Sequence, residues 1–109
     1  MPSQSQSGSQ LTVIGTEHVL GVAETTAGIY QLRVDTTPMA DTDEVELRCY
    51  TKTLATSTER LEWLVSYAGP QTARPNKIAI PTPSVHSTKY TLKQTVGTVR
   101  TFDWSIVKL

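Results

Sequence analysis

Two runs of strict alternation near the C-terminal end constrain this chain more than anything else in it. In the first, Tyr90, Leu92, Gln94 and Val96 alternate with Thr91, Lys93 and Thr95; in the second, Phe102, Trp104 and Ile106 alternate with Thr101, Asp103 and Ser105. A period of two puts one set of side chains on each face of a β-strand. Gly97 interrupts the pattern between Val96 and Thr98. It supplies the positive φ of a tight reversal, which its β-branched neighbours would adopt only with strain. The spacing therefore predicts a β-hairpin over 90–109 that closes an all-β domain. Its second strand carries the only Phe and one of the two Trp residues, so that strand is expected in the core.

The rest of the chain repeats the same period. Tyr30, Leu32 and Val34 alternate over 28–35; Val45, Leu47 and Cys49 over 44–53; Leu61, Trp63, Val65 and Tyr67 over 60–67. Residues 11–24 read as one long or two short strands with bulges or kinks at Gly15 and Gly21. Residues 78–80 read as a short edge strand bounded by Pro81 and Pro83. Abundant threonine suits a pleated surface with one wet face better than a helix. No segment carries a long 3.6-residue apolar period, which argues against alternating helices and a parallel sheet. About seven strands at this spacing predict a single antiparallel β-sandwich, jelly-roll or immunoglobulin-like. A chain of 109 residues buries roughly 65% of its unfolded surface, enough for one core without metal or disulfide support. Leu32, Val34, Val45, Leu47, Cys49, Trp63, Val65, Leu92, Phe102, Trp104 and Ile106 are its expected members.

Residues 1–10, MPSQSQSGSQ, differ from the domain expected over 11–109. The segment is apolar only at Met1 and reads as an extended polar N-terminal arm. Such a segment cannot bury enough apolar surface to order itself. Its ordering implies main-chain hydrogen bonds to another chain, by strand addition at an exposed sheet edge, with the domain folding without it. Pro2, Ser3, Gln4, Ser5, Gln6 and Ser7 are thus candidate partner-binding residues, together with Arg74 in the loop ARPN.

Motifs that carry chemistry are sparse. Ten basic and ten acidic residues leave no net charge, so neither nucleic acid nor an anionic membrane is an expected partner. No apolar run approaches the roughly 20 residues that span a bilayer, and the N-terminus lacks the apolar core of a signal peptide, which predicts a soluble chain. Cys49 is the only cysteine, which excludes an intrachain disulfide and a Cys-based zinc site; it reads as a small buried hydrophobe. Asp35, Asp41, Asp43 and Glu44 offer the hard oxygen ligands of a calcium site, but they fit no EF-hand spacing and serve equally as turn formers. His18 and His86 lie apart with no HxH or HExxH context, no serine sits in a GxSxG elbow, and no glycine-rich phosphate loop occurs. No cofactor, no metal and no enzymatic activity are expected.

The runs VELRCYTKTL, PNKIAIP and YTLKQTVGTVRTFDWSIVKL resemble a group of small virion structural proteins of tailed bacteriophages, over roughly residues 28–109. The resemblance implies a β-sandwich on the capsid surface that acts as a decoration or cement protein. Its partner would be the major capsid protein, its assembly a dimer or trimer, and its location the virion. A tail or neck component is a variant of that role. A carbohydrate-binding module is the alternative from another class, with Trp63, Tyr67, Tyr30 or Tyr50 stacking on sugar rings.

Overall fold

The computed structural model describes residues 2–109, and among these it contains nine strands. They are β1 (Ser3–Leu11), β2 (Glu17–Val19), β3 (Gly28–Asp35), β4 (Glu44–Thr51), β5 (Arg60–Ala68), β6 (Asn76–Ile78), β7 (Thr82–Ser84), β8 (Thr88–Val96) and β9 (Thr101–Lys108). All pairings are antiparallel, in two sheets: β1-β9-β3-β6, with β7 also on β3, and β2-β8-β4-β5.

The pairings nest from the two ends of the chain inward. β1 pairs with β9, β2 with β8, β3 with β6 and β7, and β4 with β5, which is one long antiparallel ribbon. Successive rungs of the ribbon fall in opposite sheets, and the roll is closed by β3 on β9 and β4 on β8. With β6 and β7 taken as one interrupted strand, this is a jelly roll and not the immunoglobulin arrangement.

The topology corrects the predicted closing hairpin. β8 and β9 are consecutive but lie in different sheets, so the chain at Gly97 turns a corner between sheets. The reversal does use positive φ at Gly97 (113°). A Cβ there would run into Asp43. Local alternation reveals a strand and its faces, but nothing in it distinguishes a partner in the same sheet from one across the core.

Apolar faces from both sheets form the interior. Leu20, Tyr30, Leu32, Val34, Met39, Val45, Leu47, Cys49, Tyr90, Leu92, Phe102, Trp104 and Ile106 are buried. A fully buried side chain of this size contributes roughly 1.5–3 kcal/mol. Trp63 and Val65, expected in the core, are only half-buried, because β5 is a sheet margin with no strand beyond it. Leu61 points outward at 50% exposure: the register shifts between Cys49 and Tyr50, which leaves Glu62 as the extra residue of a bulge.

The polar segment is not an arm outside the domain. Ser3–Leu11 form β1, paired along its length with β9 from Ser3 opposite Lys108 to Leu11 opposite Thr101. The main-chain hydrogen bonds expected from another chain come from this chain's own last strand. Gln6, Gly8 and Gln10 stand opposite Ile106, Trp104 and Phe102, so the strand closes the rim of the core with polar residues and a glycine. The expected strands in 11–24 reduce to Leu11 at the end of β1 and the three residues of β2; Gly15 and Gly21, at φ 83° and 70°, sit in the connections. The expected strand at 78–80 resolves into β6 and β7 on either side of Pro81.

Candidate interaction surfaces

Every sheet has two margins, and of the two nine-residue margins, β1 and β5, β1 is the uncharged one. Its side chains are tied to their own chain. The Ser5 hydroxyl donates to the Glu24 carboxylate (2.9 Å), Ser9 Oγ to Asp103 Oδ1 (2.5 Å) and Gln4 Nε2 to Ser7 Oγ (3.1 Å). The Gln6 amide behaves like a peptide group of a neighbouring strand. Its Nε2 donates to Val22 O (2.8 Å) while its Oε1 accepts from Val22 N–H (2.9 Å). Of the candidate partner-binding residues, Pro2, Ser3, Gln4, Ser5 and Ser7 are exposed and Gln6 is half-buried. Arg74 is exposed in the loop before β6, at the opposite margin of the same sheet, so the structure does not bring it together with the N-terminal residues.

Of the aspartates that could have bound calcium, Asp35 and Asp43 are engaged by the turns around them and Asp41 is exposed. Asp35 Oδ1 accepts from the Thr37 hydroxyl (2.6 Å) and the Thr37 N–H (3.0 Å), and these two bonds hold its carboxyl below the usual range. Asp43 is fully buried. Its carboxylate accepts from the N–H of Ala40 (2.9 Å), the N–H of Thr98 (3.0 Å) and Nε of Arg100 (2.9 Å). Burial opposes the charge on Asp43, but the two N–H donors and the Arg100 guanidinium outweigh it and hold the carboxyl low. Asp43 therefore pins the β3–β4 loop to the corner between β8 and β9. Among the described residues no three His, Cys, Asp or Glu side chains come together as a metal-binding group.

The same corner contains a second buried polar residue that the sequence reading placed on an apolar strand face. Gln94 accepts from the Thr12 hydroxyl (2.5 Å) and donates from Nε2 to Thr98 O (2.7 Å). Thr12 Oγ1 in turn accepts from Arg100 N–H (3.0 Å). Cys49 is buried, and desolvation pushes its thiol up to about 12, only partly offset by a hydrogen bond with Thr82. A protonated thiol of that kind is inert as a nucleophile.

On the outer face of the second sheet, Arg48 bridges Glu17 of β2 (3.1 Å) and Glu46 of its own strand (3.2 Å), reaching across β8. Tyr50 donates its hydroxyl to Glu17 (2.7 Å). Desolvation works against ionised Glu17, but the bond from Tyr50 and the nearby Arg48 and Lys89 lower its pKa all the same.

The concavities are modest. A hollow of about 290 Å³ on the outer face of the first sheet is lined by Gln4, Ser7, Arg33, Asp35, Asn76 and Asp103 among others. An apolar cleft of about 110 Å³ opens between β5 and the β6–β7 segment, with Trp63, Val65, Tyr67, Ile78 and Ile80 in its walls. The aromatic residues considered for sugar stacking offer no open platform. Tyr30 is buried, and Trp63 is half-buried with its Nε1–H on Thr82 Oγ1 (3.0 Å). Tyr67 and Tyr50 are covered by the ammonium groups of Lys77 (4.7 Å) and Lys89 (4.9 Å). No protein-family model matches the chain, and neither a curated protein nor a solved structure does.

Proposed function

We propose that this chain is a virion structural protein of a tailed bacteriophage, a capsid decoration protein that binds the outer surface of the major capsid protein and stabilises the shell as a homo-oligomer. The observation that carries the reading is a jelly roll with a long open margin at β1 and with acidic side chains largely committed to its own turns and ion pairs. Jelly rolls recur in viral capsid and lectin domains, although a fold by itself fixes no function. Support for the capsid branch is the resemblance of VELRCYTKTL, PNKIAIP and YTLKQTVGTVRTFDWSIVKL to phage virion proteins. The lectin branch would need an open aromatic face, and the tyrosines and tryptophans here are buried, capped by lysines or hydrogen-bonded inward. On this reading the protein works through its surfaces and catalyses nothing.

Quantitative mass spectrometry of purified particles tests the proposal. A copy number comparable with that of the major capsid protein is the expected result. A ring-sized copy number would move the protein to the tail or neck, where closed rotational symmetry sets the count. Its absence from particles would overturn the virion assignment.

A further inference from the structure

The four sheet margins are guarded very unequally. β2 is three residues long and carries Glu17 and His18; β5 carries Arg60 and Glu62 and is bent by the bulge at Glu62. β6 and β7 are three residues each, and Pro81 and Pro83 interrupt them. Short length, charge, bulges and prolines are the devices that keep sheet edges from pairing with other chains. β1 has nine residues, no charged residue and no proline, with one register shift between Gln4 and Gln6. Beyond that shift, Gln6–Leu11 is an unguarded edge.

The unpaired main-chain groups on this edge can be assigned. Thr12 N–H donates to Arg100 O (2.9 Å), which makes Thr12 and Arg100 a hydrogen-bonded pair that continues the β1–β9 register. Bonded and non-bonded pairs alternate along an antiparallel ladder. Gln10 and Gly8 therefore bond inward to β9, and Leu11, Ser9 and Ser7 turn their N–H and C=O groups away from it; the Leu11 C=O already accepts from Gln10 Nε2 (2.9 Å), which leaves Ser7 and Ser9 as the residues with both groups open. The strand presenting them is already ordered, because Ser5, Gln6 and Ser9 are fixed to Glu24, Val22 and Asp103. Little conformational freedom remains to be lost on binding.

We propose that the β1 edge is a dimer seam: a second copy of this chain adds its own β1 antiparallel to the first, about a twofold axis, and joins the β1-containing sheets of the two copies into one. Self-pairing fits this strand because it has no charge to be opposed by its own image. Ser7 of one copy opposite Ser9 of the other satisfies the outward groups of both residues in both copies at once and brings Gly8 opposite Gly8. A twofold contact uses one patch twice, as this one does. The seam is a property of the isolated chain and does not depend on where the protein resides.

Light scattering and sedimentation on the purified protein test it, with Ser7→Pro, which removes an outward N–H, and Leu11→Lys, which adds a guarding charge at a position 58% exposed. The wild type is expected to be a dimer, and each variant is expected to raise the dissociation constant at least about tenfold without lowering the melting temperature in the monomer. Leu61→Lys on the β5 margin should leave the dimer intact. If Ser7→Pro does not fold, Leu11→Lys decides alone. A wild type that is monomeric or trimeric, a dimer unaffected by Leu11→Lys, or a dimer that yields to Leu61→Lys overturns the proposal.

Discussion

Two polar networks fasten this jelly roll, one in its dry interior and one on its wet rim. At the corner between β8 and β9, Asp43, Thr98, Arg100, Thr12 and Gln94 form a chain of hydrogen bonds in which Asp43 and Gln94 are wholly buried. Beside β1, Ser5, Gln6, Val22 and Glu24 form a similar chain that is mostly exposed. The bonds are alike in length. Their value to stability differs because water can replace the partners on the rim and cannot in the interior. A buried network determines whether the fold persists; an exposed one determines how an edge is shaped.

The largest effect separates a strand from a network. Deletion of residues 1–10 removes nearly all of β1 and uncovers β9. Thermal unfolding followed by near-ultraviolet circular dichroism should lose its cooperative transition, a cost above the ~3–5 kcal/mol of truncating one buried aromatic. A truncated protein with an unchanged transition would return β1 to the status of an appended arm.

Within the interior network, Asp43→Ala leaves three donors without their acceptor, and urea titration should show a loss of about 3 kcal/mol. On the rim, Gln6→Ala should cost less than about 1 kcal/mol by the same measurement, since Val22 can turn to water. Equal losses would erase the distinction between the two networks.

Acid probes the same contrast without mutation. Asp43 has a folded pKa below its unfolded value, so its contribution is fully present above the unfolded carboxylate pKa of about 4 and is lost as pH falls through the folded value. The melting temperature should be level from neutral pH to about pH 5 and fall below about pH 4. Asp43→Asn should flatten that fall, whereas Gln6→Ala should leave its position unchanged.

The smallest expected effect is a gain. Thr42 has φ of 73° at the third position of the turn in which Asp43 N–H bonds to Ala40 O. A β-branched residue is strained there, and asparagine tolerates the left-handed region better. Thr42→Asn should stabilise the protein by about 0.5–1 kcal/mol in thermal unfolding if the turn geometry is as described.

Strands with an apolar inner face were legible from the sequence. Leu32 and Val34, Val45 to Cys49, and Phe102 to Ile106 alternate in the sequence as they alternate between core and solvent in the fold. β1 was not legible, because its inward residues at the rim are Gln6, Gly8 and Gln10, which carry no hydrophobic period. A signal was present nevertheless: Ser and Gln alternate through SQSQ, a period of two written in polar residues. The Asp43 corner was legible only as turn chemistry. That its carboxylate would be met by Thr98 and Arg100, more than fifty residues away, depends on the roll of the ribbon and leaves no local trace. The jelly-roll order was hidden for the same reason, and so was the role of Gly97 as a corner between sheets.

Gly8 faces Trp104 so closely that a Cβ on it would lie 3.0 Å from the indole Cζ2. Where β1 crosses it, the ring is covered by a backbone with no side chain of its own, while Gly21 approaches its Cη2. The indole is in effect an optical gauge of the strand above it: as long as β1 is seated, the ring emits from a dry site, and water reaches it as soon as the strand lifts. Trp63, at the far margin of the other sheet, is half-buried whether or not β1 is seated and gives the steady reference. A red shift confined to one of two tryptophans would then report peeling of the edge before the domain unfolds, in unlabelled protein.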